Sequence, residues 1–337
     1  MAEWLSTTGT IWTYGGNHLG WANQWNPLDL PPYTIRLRYA DGITPTFNYG
    51  TGVQVSSSPN IWDLTYVNAN WEMLLQVNYD WEHQILPDNH LLEVLGANTT
   101  GVTNMSVMFA HCFSLVNVVP FDTSQVTDIS GIFYGCTALS EVPFLDCSSV
   151  VNANNMFVDC TSLISIPLLD FSNTTSMEYT FAGCTNIQSV PLFNTSRVRD
   201  FNNTFARCYS LVSVPHLDFS SATNTTSTFY GCSSLVTTPA FNLENTRYTM
   251  TMFYGCSSLT SVQTYNISDK IAMVSSMYAK CYNVSSGALD LYQRLISLRS
   301  WTLSDYYSNC FLDCGRDTVS GRAELAQIPT SWGGTMA

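Results

Sequence analysis

Apolar and polar positions along the middle of this chain recur with a period of 24 residues. Cys112, Cys136, Cys160, Cys184, Cys208, Cys232 and Cys256 stand at that interval, and Cys281 follows after 25. Three residues before each comes an aromatic ring: Phe109, Phe133, Phe157, Phe181, Phe205, Phe229 and Phe253, then Tyr278. Three residues after each comes Leu115, Leu139, Leu163, Ile187, Leu211, Leu235 or Leu259, then Val284. A proline follows at Pro120, Pro143, Pro167, Pro191, Pro215 and Pro239. Ten residues after the Cys stands an Asp or Asn: Asp122, Asp146, Asp170, Asn194, Asp218, Asn242 and Asn266. Columns that stay in register over seven units define an internal repeat.

A unit this short cannot bury its own apolar face, so neighbouring units must stack and share one core. Stacking places each side chain above its copy at about 4.8 Å, the spacing of paired strands. The L-x-x-V-P piece, as in Leu139–Pro143 and Leu163–Pro167, is predicted to be the strand of each coil, pairing in parallel with its neighbours. Proline ends the pairing because it has no N–H and a fixed φ. The Asp/Asn-x-Ser piece is turn chemistry, in which the side chain bonds nearby backbone N–H groups. The lead-in to each Phe, such as Asn154–Phe157, is expected to make a helical turn or two. The reading is seven to eight coils over 96–284.

The ends depart from the period. Residues 1–95 hold Trp4, Trp12, Trp21, Trp25, Trp62, Trp71 and Trp81, a cluster read as core rather than as a sugar platform. Thr34–Tyr39 alternates as a strand does, Ala40-Asp41-Gly42 is a turn, and Thr51–Ser56 is its expected partner. Trp71–Val77 and Leu91–Leu95 lead into the first coil. We expect a β-rich N-terminal unit over 1–95 that attaches the protein and covers the first coil, since an open end exposes core and unpaired strand groups. Residues 285–337 are expected to form a helical C-terminal cap. Ala288–Leu298 has helical apolar spacing at Leu291, Leu295 and Leu298, Asp305–Cys314 is read as its continuation, and Ile328–Gly334 as a tail folding over the last coil.

Met156-Phe157, Phe229-Tyr230-Gly231-Cys232-Ser233-Ser234-Leu235 and Phe253-Tyr254-Gly255-Cys256-Ser257-Ser258-Leu259 carry a resemblance. The pattern resembles the BspA-type leucine-rich repeats of surface antigens and adhesins. It is especially similar to the M-F-x-G-C-x-x-L variant of bacterial surface lipoproteins and gut phage proteins. The resemblance implies an α/β solenoid, leucine-rich-repeat-like, of short parallel strands plus helical turns. It implies fold more firmly than function.

Charge narrows the partners. Twelve Lys and Arg against 25 Asp and Glu give a net charge of −13, with no basic cluster to replace the counterions of nucleic acid. No apolar run is long enough to span a bilayer. The start, MAEWLSTTGTIWTYGG, lacks the basic and apolar regions of a secretory signal. Charged residues are only 11% of the chain, so the surface is coated with Ser, Thr, Asn and Tyr.

Candidate chemistry is sparse. The Cys ladder reads as free, core-packed thiols. Cys310 and Cys314, the one local pair, read as cap packing, with a metal or disulfide as the alternative. The Asp/Asn ladder reads as backbone caps rather than a calcium site, which needs six to eight oxygens around one point. His18, His83, His90, His111 and His216 sit in no nucleophile or metal motif. The sequons at Asn173, Asn194 and Asn224 matter only in a eukaryotic secretory setting. No cofactor and no catalytic residue are expected. Tyr134, Tyr230 and Tyr254, each next to a buried Phe, and the mid-strand hydroxyls Ser165, Ser189, Ser213, Thr237 and Ser261 with Glu141 are the candidate binding surface.

The expectation is a non-catalytic, surface-displayed protein of a phage virion or tail. Its partners would be other virion proteins, through the N-terminal unit, and a host-surface glycan or protein, with a homo-oligomer left open. The alternatives are a bacterial surface adhesin and a glycan-processing enzyme, for which paired carboxylates would be required.

Overall fold

The computed structural model of the 337-residue chain describes residues 2–5, 11–14, 34–42, 51–65, 90–301 and 303–335. The side chains of the N-terminal tryptophan cluster, the segment Trp71–Val77, and His18 and His83 lie outside the described residues.

Strands β1 (Ala2–Leu5) and β2 (Ile11–Tyr14) pair antiparallel. A five-stranded sheet follows, built from β3 (Thr34–Tyr39), β4 (Thr51–Ser57), β5 (Asn60–Thr65), β6 (Leu91–Ala97) and β7 (Asn117–Val118) in the order β4-β5-β3-β6-β7. The strand expected at Thr34–Tyr39 is present, but Thr51–Ser57 is not its partner. β3 lies between β5 and β6, and β4 sits one strand further out. Alternation explains the central place of β3. Ile35, Leu37 and Tyr39 are buried on one face. On the other face Arg36 makes a bidentate pair with Asp63, and Arg38 reaches Glu93. β6 then pairs in parallel with β7 through Glu93↔Asn117 and Val94↔Val118, so the sheet runs directly into the repeat.

From β6 onward each residue lies beside its copy in the next coil. Parallel bridges connect Asn104, Asp128, Asn152, Ser176, Asp200, Asn224, Tyr248 and Met273 in one continuous series. The Phe rings stack face to face. Centroids from Phe109 to Phe253 are 5.4–5.7 Å apart and interplanar angles stay between 4° and 12°. The Phe, Cys and Leu columns are fully buried. A second aromatic column, including Phe193, Phe241 and Tyr265, packs against the first. Burying one such ring stabilises by roughly 1.5–3 kcal/mol, and each stacked pair adds about 0.5–1.5 kcal/mol.

The lead-in to each Phe is not helical. Two residues per coil, five and one before the Cys, take positive φ. Examples are Val107 and His111 at 52° and 62°, Asn155 and Asp159 at 59° and 55°, and Ser227 and Gly231 at 54° and 74°. A helix needs unbroken negative φ, so a run of tight turns replaces it. N–H groups of alternate residues close turns within the coil, as in Ala110 to Val107 and Cys112 to Phe109. The other N–H groups cross to the next coil: Met105, Val107, Phe109 and His111 donate to the carbonyls of Asp128, Ser130, Ile132 and Tyr134. Four such bonds of 2.5–3.4 Å recur at each of eight junctions. Each left-handed residue costs about 1–2 kcal/mol, and four hydrogen bonds of about 0.5–1.5 kcal/mol each offset the two per coil.

The predicted strand is also corrected. Leu139–Pro143 and Leu163–Pro167 form no regular strand. Between coils this segment makes single bonds, such as Ile164 N–H to the Ser140 carbonyl. It pairs as a two-residue strand at β7, with bridges at Ser213↔Thr237 and Ser261↔Ser286. A further short parallel pair, β8 (Asn242–Leu243) with β9 (Asn266–Ile267), lies at the Asp/Asn turns.

Helix α1 (Ala288–Leu298) forms where the spacing predicts it and buries Ala288, Leu291 and Leu295. Asp305–Cys314 does not continue the helix. It is a ninth coil: Phe311 and Cys314 repeat the F-x-x-C unit, Asn309 and Asp313 take φ of 58°, and Phe311 stacks on Tyr278 at 6.4 Å. Val274, Ser276, Tyr278 and Lys280 donate to Tyr306, Ser308, Cys310 and Leu312. Helix α2 (Val319–Leu325) supplies Glu324, whose carboxylate accepts the N–H groups of Gly287 and Leu289 at the start of α1. The tail returns so that Phe311 N–H meets the Trp332 carbonyl.

Candidate functional site

The inner columns hold no reactive group. Each ladder thiol from Cys136 to Cys281 donates to the carbonyl of the Phe one coil back, at 3.0–3.2 Å. All eleven cysteines are buried and none is in a disulfide. Burial pushes up the thiols of the ten from Cys136 to Cys314, and neighbouring cysteines add to the effect at Cys136, Cys184, Cys208 and Cys256, among others. Cys232 is pushed up to about 12 by burial. Cys310 and Cys314 are not helical neighbours but two inward positions of the ninth coil.

The Asp/Asn turns bind backbone. Asp122, Asp146, Asp170, Asn194, Asp218 and Asn242 each accept the N–H two residues on. A second set does the same at Asn104, Asp128, Asn152, Asp200 and Asn224. Among the described residues no three His, Cys, Asp or Glu converge as metal ligands. His216 is exposed, and His111 is packed edge-on between Phe113 and Tyr134, where burial lowers its pKa.

The outer columns differ. Ser165, Ser189, Ser213 and Thr237 are exposed, with Glu141 in line and Ser261 half-buried. The three tyrosines are not one group. Tyr134 is half-buried and packs against a small cluster formed by Val158, Ala182 and Ala206. Four coils away Tyr230 and Tyr254 stack at 5.1 Å and 7°, with Lys280 Nζ 5.2 Å from the Tyr254 ring centroid. Tyr254 holds the Lys280 ammonium above its ordinary range, by a hydrogen bond first and by charge second.

Sequence reasoning missed several neighbours of this pair. Tyr209 is 47% exposed, and Arg207 stands beside it, 3.9 Å from Asp159. Gly231 and Gly255 lie between Arg207 and Lys280 in the column just before the Cys. Across the coils that column runs His111, Gly135, Asp159, Gly183, Arg207, Gly231, Gly255, Lys280, Asp313. Its variability beside an unchanging core is visible in the sequence once the columns are aligned.

The protein is thus a stacked-coil repeat protein with a near-constant core and a variable column just before the Cys. A family described as "Mycoplasma protein of unknown function, DUF285" matches residues 89–191 and 164–290, more than half of the chain, and the chain belongs to that family. No curated protein matches it.

Proposed function

We propose that this protein is a non-catalytic, displayed binding surface. On this reading it is a leucine-rich-repeat-like solenoid of the BspA type, carried on a phage virion or tail and attached through its N-terminal unit. One observation carries the reading: side chains facing the core repeat from coil to coil while the column just before the Cys changes, from His111 through Gly135, Asp159 and Arg207 to Lys280. Core columns of Phe, Cys and Leu hold the backbone constant. The exposed hydroxyls of Ser165, Ser189, Ser213 and Thr237, and the rings of Tyr230 and Tyr254, are thereby presented on a fixed backbone. The carboxylates of the turns are engaged with backbone N–H groups, which speaks against a pair poised for glycoside hydrolysis.

A bacterial cell surface is the second reading, and the Mycoplasma in the family's description favours it. No helix among the described residues is long and apolar enough to cross a membrane. Gold-labelled antibody against the chain, applied to producing cells and purified particles, separates the two. Label on particles supports the virion, and label confined to the envelope supports the adhesin. Label in neither place, or turnover of a glycan panel abolished by one carboxylate substitution, overturns the displayed-binder reading.

A further inference from the structure

We propose that Arg207, Tyr209, Tyr230, Gly231, Tyr254, Gly255 and Lys280 form a shallow binding groove for an acidic oligosaccharide. The proposal rests on the displayed-binder reading and names the ligand class of that surface.

The groove is built from one column and its two flanks. In the column before the Cys, Arg207 and Lys280 both adopt φ of 62° and both carry long side chains. Left-handed backbone therefore does not force glycine at this position. Yet the two coils between them carry Gly231 and Gly255. A Cβ added at Gly255 would meet only the Gly231 backbone, at 3.7 and 4.0 Å. At Gly231 it would meet Tyr209 and Arg207 at 3.7–3.9 Å. These are ordinary contacts, so a side chain would fit and its absence leaves an open floor. The floor runs three coil steps between two cations, about 15 Å at the strand spacing, the span of a short oligosaccharide.

One wall is the Tyr230–Tyr254 stack. The other carries Tyr209, Ser233 and Ser257. The two serine hydroxyls donate to the carbonyls of Tyr209 and Ser233, which leaves their lone pairs to accept from a ligand's hydroxyl groups. Between Arg207 and Tyr282 no Asp or Glu occurs in this column or its flanks, and the column's acids lie outside the floor: Asp159, 3.9 Å from Arg207, two coils before it and Asp313 one coil beyond Lys280. Cations at both ends of an acid-free trough favour a polyanion. Aromatic walls and hydroxyl acceptors favour sugar rings. An acidic peptide is disfavoured because peptides add affinity by pairing with free backbone. Here the Gly231 and Gly255 N–H groups are already bonded to the carbonyls of Tyr254 and Ala279.

The test is titration of the full chain with three probes: a galacturonic acid trimer, its methyl ester, and an oligoglutamate of equal charge. The acid trimer is expected to bind and the other two to bind at least about tenfold more weakly. Lys280→Gln should weaken the trimer about threefold, as for an exposed ion pair, and salt should do the same. Gly255→Asn fills the floor without a backbone clash. It should abolish trimer binding while the melting temperature falls by only a few degrees, the cost of one left-handed side chain at φ of 73°, whereas Ser213→Asn on the other column should leave binding intact. Equal binding of ester and acid, equal binding of the peptide, no binding of the trimer, or full binding by Gly255→Asn would each overturn the groove. Adhesion of the particle or cell that survives Gly255→Asn would leave the displayed-binder reading standing and sink only this site.

Discussion

At the scale of single residues the core is a set of repeated contacts, and removing one copy tests the repeat. Phe181 is fully buried, with Phe157 at 5.5 Å and Phe205 at 5.4 Å on its two faces and Phe193 at 5.9 Å beside it. Phe181→Ala should cost about 3–5 kcal/mol in chemical denaturation, the upper range for a buried ring. Phe109→Ala, with a stacked Phe on one side only among the described residues, should cost less. The thiols give a sharper signature. Ten cysteines have raised pKa values in the fold, with burial the first cause in each. Unfolded thiols ionise near the ordinary value of 9.0 while the folded ones keep their protons. The native state then binds more protons, so stability is full below pH 9 and falls as pH rises toward the folded values. Each thiol contributes a slope of about 1.4 kcal/mol per pH unit, so ten together should unfold the protein within about a unit or two above pH 9. Denaturant midpoints measured from pH 7.5 to 10.5 should show this cliff, and replacing Cys160 and Cys184 by Ala should make it shallower.

At the scale of elements, how much the sequence revealed depended on whether side-chain chemistry or backbone geometry set the structure. Strand Thr34–Tyr39, helix Ala288–Leu298 and the backbone-capping Asp/Asn turns lie where alternation, helical spacing and turn chemistry put them. The left-handed residues were hidden because the positions are filled by Val, Asn, Asp, Tyr, Ser, Thr, His, Arg and Lys as well as Gly. Inter-coil hydrogen bonds impose that conformation; residue preference does not. The ninth coil was hidden because α1 is inserted before it, stretching the interval from Cys281 to Cys314 to 33 residues. In the candidate site, the tyrosines and hydroxyls were legible as repeat positions. The grouping of Tyr230 with Lys280, and not with Tyr134, required knowing that neighbouring coils touch. One glycine at an element boundary is predicted to be irreplaceable. Gly287 has φ of 92°, and an added Cβ would lie 2.1 Å from the Val262 carbonyl oxygen, which is backbone and cannot swing away. Gly287→Ala should destabilise by about 2–4 kcal/mol, the range of strain at a special backbone position. Glu324→Gln, which removes the carboxylate charge at the start of α1, should cost only about 1 kcal/mol in the same assay.

At the scale of the whole molecule, stacked coils exchange energy only with their neighbours, so an exposed end weakens every coil behind it. The C-terminal end is closed by the ninth coil and the tail. Trp332 packs on Tyr307 at 4.6 Å, Tyr292 at 5.3 Å and Trp301 at 5.4 Å, and is nearly buried. A chain ending at Leu303 would lose these contacts and uncover one face of the Tyr278 ring. It would also strand the N–H groups of Val274, Ser276, Tyr278 and Lys280, whose acceptors all lie in residues 306–312. Four lost hydrogen bonds and one lost ring contact amount to several kcal/mol, so the melting temperature should fall by about 10 °C or more. The exposed row of donors beside an apolar face should also make the truncated chain associate, as unprotected sheet edges do. Hydrogen exchange gives the spatial test. In the truncated chain, amides of the coils around Cys256 and Cys281 should lose protection first, those around Cys160 and Cys184 last. A uniform loss along the chain would mean that the coils unfold as one block and do not unzip from the uncovered end.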